Sequence, residues 1–149
     1  MATKIREARK RLGALWLGAT AVTFLIMVGR SLGSGFGDQV IDAWGWYLPT
    51  LFPTLGLILA TFGLDLERRK PKKPGTVEGF YYRLCWWMSV FYLANLLLIV
   101  VVPADLLPAM PNPIEAMAIS NLWIGPLQGL TAASLAWFFL NAQADSGAA

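Results

Sequence analysis

Histidine is absent from this 149-residue chain, and cysteine occurs once, at Cys85. Without imidazoles, bis-His haem ligation, His-based proton relays and most zinc or iron sites have no ligands. A lone cysteine forms no internal disulfide and excludes intramolecular dithiol chemistry. Such a residue is ordinarily a small core hydrophobe. No closely spaced carboxylate pair falls within an apolar stretch, and no Gly-x-Ser-x-Gly elbow, phosphate loop or His-Glu-x-x-His motif occurs. These absences argue against an enzyme and leave no cofactor or metal to expect.

Charge is also scarce, at 14% of residues, where a soluble domain carries roughly 25%. No Asp, Glu, Lys or Arg occurs in residues 12–29, 43–64, 84–104 or 116–144. A hydrocarbon core about 30 Å thick is crossed by roughly 20 apolar residues as helix, so each stretch is long enough. A soluble core would need helices with polar outer faces, yet residues 93–102 are apolar almost all round. The pattern predicts an all-α membrane protein, four transmembrane helices packed as a small bundle in a single domain spanning 1–149. Their expected bounds are about 8–31, 40–66, 77–102 and 114–141. The glycines of residues 32–37 end the first helix, Asp38 or Asp42 is positioned to cap the second, and Pro103 stops the third.

The basic residues orient the bundle. Lys4, Arg6, Arg9, Lys10 and Arg11 precede the first stretch, and Arg68, Arg69, Lys70, Lys72, Lys73 and Arg83 lie between the second and third. The remaining loops carry Asp38, Asp42, Asp105 and Glu115 and neither Lys nor Arg. Only Arg30, at the outer end of the first helix, departs from the pattern. Eleven of twelve basic residues therefore share one side, and the positive-inside rule makes that side, with both termini, cytoplasmic. The expected location is the plasma (inner) membrane. The net charge of +3 then reflects topology and points to no nucleic-acid partner. All seven tryptophans fall near helix ends in this scheme, Trp16, Trp86, Trp87 and Trp137 inside and Trp44, Trp46 and Trp123 outside, as an interfacial belt requires.

Within the stretches, a few residues break the apolar pattern. Pro49 and Pro53 each remove a backbone donor, which predicts a kinked or locally unwound outer half of the second helix. Carbonyls freed there, beside Thr50 and Thr54, can satisfy themselves on neighbouring helices or line a path for an ion or water. Asn95, mid-way along the third helix among apolar neighbours, needs a partner across a helix interface, with Asn121, Gln128 and Thr54 as candidates. Thr50, Thr54, Asn95 and Gln128 together would form a polar network or narrow pathway. Gly125, Gly129 and Ala133 recur every four residues, with Asn121 one turn outward, as a face for close helix packing within the chain or between subunits. Gly56 and Ala60, or Ala14 and Gly18, are possible partner faces. Arg30 is expected to snorkel outward, pairing with Asp38 or Asp42. The run Arg68, Arg69, Lys70, Lys72 and Lys73 is a topogenic signal that also suits an anionic lipid or an acidic protein.

The functional expectation is a non-enzymatic membrane component, working as a homo-oligomer or with other membrane subunits. It would act as a channel-like or membrane-perturbing effector, or as an accessory subunit. The alternatives are a small-solute or ion transporter using the proline-broken helix, and a structural scaffold with four spans.

Overall fold

A computed structural model describes residues 3–33, 35–67, 76–77, 79–102 and 112–144. It is all-helical but for one short bridge. Helix α1 runs Ile5–Leu32, a 3-10 turn Gly37–Gln39 leads into α2 at Val40–Glu67, α3 runs Gly79–Val101 and α4 Pro113–Ala144. These bounds lie within about three residues of those read from the uncharged stretches. A two-residue antiparallel pair, Thr3–Lys4 against Thr76–Val77, joins the start of the chain to the approach to α3.

The helices form a ring in the order α1, α2, α4, α3, with the α3–α4 contact the most extensive. Each helix buries one seam. Leu12, Trp16, Thr23 and Met27 come from α1, and Ala43, Tyr47, Thr50, Leu51, Thr54 and Ile58 from α2. Helix α3 contributes Cys85, Ser89, Tyr92, Leu96 and Val100, and α4 contributes Met117, Ser120, Ile124, Thr131, Leu135 and Phe138. The steps of three, four and seven residues place each set on one stripe, as interdigitating helices require. Trp16 stacks on Tyr92 at 5.7 Å between ring centroids and is fully buried. It is therefore a core residue and not part of an interfacial belt. Tyr81 does lie against Trp137, at 4.4 Å, at the end of the bundle where α3 starts and α4 finishes.

The helix ends show how local sequence sets the connections. The Gly33 and Gly35 amides donate to the Gly29 and Arg30 carbonyls, at 2.9 and 2.8 Å, and so close the last turn of α1. A β-carbon on Gly35 would stand 3.1 Å from the Arg30 carbonyl oxygen, and Gly37 adopts a φ of +52°, so this turn favours glycine. Asn112 accepts from the Ile114 amide at 2.9 Å, with Pro113 opening α4 and Glu115 in its first turn. Both are favoured helix-start devices. The Asn112 amide also donates to Gln39 at 2.9 Å, tying this end of α4 to the α1–α2 turn. Neither Asp38 nor Asp42 makes a capping hydrogen bond among the described residues.

Arg30 differs from its expected pairing with Asp38 or Asp42. Its guanidinium donates to the Val100 carbonyl at 2.5 Å and lies 4.8 Å from the Phe36 ring centroid. The reason is the end of α3, whose final carbonyls have no intrahelical donor and attract a cation.

Among the described residues, two helical stretches are long and apolar enough to cross a membrane, Glu7–Leu32 and Phe80–Val101.

Candidate functional site

Helix α2 stays continuous through Pro49 and Pro53. The expected unwinding of its outer half does not occur, and the geometry supplies the reason. Pro53 has no N–H to give to the carbonyl four residues earlier, which is Pro49. The Gln128 side-chain amide of α4 donates to that carbonyl instead, at 3.0 Å. The Thr50 hydroxyl donates to the Tyr47 carbonyl at 2.6 Å, and the Tyr92 hydroxyl of α3 donates to the Thr50 carbonyl. Three helices thus hold the proline turn in place.

This arrangement has a thermodynamic consequence. Gln128→Leu is expected to cost about 0.6–2 kcal/mol in the unaltered chain, the usual worth of such a bond between membrane helices. In a Pro53→Ala background the new N–H at position 53 satisfies the Pro49 carbonyl, so the same substitution should cost almost nothing. A double-mutant cycle on detergent unfolding midpoints measures this; equal costs in the two backgrounds would show that the Gln128 bond is incidental.

The four residues read together from the sequence separate. Thr50 and Gln128 meet around Pro49. Thr54 is one turn deeper and fully buried, its hydroxyl without a hydrogen-bond partner among the described residues. Asn95 is half-buried, and its amide donates to the Phe91 carbonyl of its own helix at 2.8 Å. It does not join Thr50 or Gln128. The α4 face of Asn121, Gly125, Gly129 and Ala133 is exposed, and β-carbons at Gly125 or Gly129 would have no atom within 4 Å. Gly56, Ala60, Ala14 and Gly18 are exposed too. No helix of this chain packs on the small face. The Arg68, Arg69, Lys70, Lys72 and Lys73 loop lies outside the described residues.

Several polar groups of the interior were not singled out by sequence. The Thr23 and Tyr47 hydroxyls lie 2.8 Å apart between α1 and α2. The Ser89 hydroxyl and the Trp16 indole N–H are buried without a hydrogen-bond partner among the described residues. Cys85 donates to the Ser134 carbonyl at 3.3 Å, linking α3 to α4. The available signal was spacing: Cys85, Ser89 and Tyr92 fall on the same three-four stripe as Leu96. Trp16, Tyr92 and Leu96 fill the bundle axis.

Between α2 and α4, at the end where α2 begins, an open crevice of about 650 Å³ is lined by Asp42, Gly45, Trp46, Pro49, Asn121 and Gly125 among others. Among the described residues no three His, Cys, Asp or Glu side chains come together as a metal would need. No protein-family model, curated protein or solved structure matches the chain.

Proposed function

We propose that this chain is a non-enzymatic integral membrane protein that crosses the bilayer four times, with both termini cytoplasmic, and works in assembly with further copies or other membrane subunits. The observation that carries this reading is the surface. Every helix turns large apolar side chains outward: Leu25 and Phe24 on α1, Phe52 and Leu59 on α2, Trp87 and Leu98 on α3, Leu122 and Leu130 on α4. Soluble proteins rarely expose contiguous apolar surface on such a scale. A soluble core helix would be mostly buried, whereas 28% of the α1 apolar window and 33% of the α3 window are buried here. The outward faces of α2 and α4 extend the same band around the bundle.

Assembly is supported by what α4 leaves uncovered. Asn121 lies about 12 Å along α4 from its start, at 1.5 Å per residue, and an amide facing hydrocarbon at that depth needs a partner. Outward glycines each cost a helix about 1 kcal/mol relative to alanine and gain nothing from lipid. A second helix laid on the inner part of this face, at Gly129 and Ala133, would supply the packing. The filled axis speaks against a conduction path through one copy, so a channel-like action would run between subunits. The basic loop at 68–73 is proposed as the cytoplasmic contact for anionic lipid or an acidic protein.

Single cysteines in a Cys85→Ser background test the four crossings. Gly37→Cys should react with an impermeant thiol reagent on intact cells, and Gly75→Cys and Gly147→Cys only after permeabilisation. If α1 and α3 alone crossed, Gly75→Cys would label from outside, and the four-span reading would fall.

A further inference from the structure

We propose that the crevice between α2 and α4 binds an amphiphile with a cationic amine head and an alkyl tail. The inference goes beyond the assembly reading, though it rests on the membrane placement given above.

The volume, about 650 Å³, lies in the range of small-molecule sites, roughly 300–1,000 Å³. Its chemistry is asymmetric. Among the described residues Asp42 is the only charged one in the lining, and none there is basic. Asp42 is exposed and makes neither ion pair nor hydrogen bond among the described residues. Its carboxylate sits in the first turn of α2, at headgroup level in the proposed topology. Gly45 lies one turn deeper. Pro49 cannot donate to the Gly45 carbonyl, and glycine leaves that backbone unshielded. Asn121 offers a second acceptor from α4. These groups all suit a positively charged donor. Arg30, the one outward base, is committed to Val100 and Phe36, so an anionic head finds no counter-charge here.

The rest of the wall suits a tail and an aromatic contact. Ile114, Met117 and Ile124 line one side. Trp46 lines the crevice while 8% exposed, and its indole N–H has no hydrogen-bond partner among the described residues. Indoles are the preferred aromatic neighbours of ammonium groups. The opening at Gly125, where a β-carbon would meet nothing, leaves room for a chain to enter from the side. Gly129 and Ala133, the inner part of the small face, are not in the lining, so a bound amphiphile leaves them available for assembly.

The test is calorimetric titration of the full chain in lipid nanodiscs, with empty discs subtracted. Dodecylamine, protonated at neutral pH, should saturate at one molecule per chain. Butylamine, with the same head and a short tail, should bind at least a hundredfold more weakly, and dodecyl sulfate should show no saturable binding. Asp42→Asn should weaken dodecylamine at least tenfold. Gly125→Leu, which fills the crevice without touching the bundle, should abolish binding even if Asp42→Asn inserts poorly. Gly129→Leu should leave binding unchanged. Equal binding of butylamine would mean a soluble amine site and overturn the amphiphile. Saturable binding of dodecyl sulfate, or wild-type affinity in Gly125→Leu, would overturn the site itself. Failure in a protein whose cysteine labelling gives four crossings would count against this site alone.

Discussion

Gly129→Leu is expected to separate the subunits of the assembly while leaving each bundle folded. The two effects have opposite signs, which makes the result hard to mistake. Within one chain, a β-carbon at Gly129 meets no atom within 4 Å, and replacing a helical glycine removes a penalty of about 1 kcal/mol. The isolated bundle should therefore unfold at a slightly higher temperature. At a helix–helix contact, the added isobutyl group holds the neighbour off, and overpacking of this kind costs about 1–3 kcal/mol. The subunit dissociation constant should rise roughly tenfold to a hundredfold. Native mass spectrometry from nanodiscs reads the first quantity and thermal unfolding the second. Unchanged assembly would mean that this face meets lipid.

Tyr92→Ala should be the most damaging single substitution in the core. Its ring stacks on Trp16, its hydroxyl holds the Thr50 carbonyl of the proline turn, and no part of it reaches solvent. Removing an aromatic side chain from a core in water costs about 3–5 kcal/mol. Between helices already in lipid the transfer part is absent, which leaves about 2–3 kcal/mol for the cavity and lost contacts. Tyr92→Phe keeps the stack and should lose only about 1 kcal/mol. The pair separates packing from hydrogen bonding in one unfolding titration. A Tyr92→Ala protein as stable as the original would show that the α1–α3 seam is not the core.

The legible and illegible parts of this chain divide along a physical line. Helix extents followed from runs without charge, and the end of the first helix from the glycines of residues 32–37, because these depend on backbone chemistry that local sequence carries. Gln128 stands out in the sequence as an intramembrane amide, but its bond to the Pro49 carbonyl does not, because sequence does not say which carbonyl across a helix interface an amide will reach. Neighbours were harder. Helices α3 and α4 are almost equally apolar on all faces, so hydropathy does not distinguish a side chain packed on another helix from one facing outward. Trp16, read as interfacial, is in the core for that reason. Asn95 found its own backbone, a local solution that any Asn in a helix has open to it. The face of Asn121, Gly125, Gly129 and Ala133 was recognisable as a packing stripe, but periodicity alone does not say which surface packs on it.

The most direct measurement is the mass of the wild-type particle ejected from native membrane vesicles without prior detergent purification. The account predicts two or more copies of the 16.3 kDa chain, or one copy with a membrane partner in fixed ratio, and conversion to the single chain by Gly129→Leu. A wild-type particle that leaves the membrane only as the single chain with lipid would contradict it.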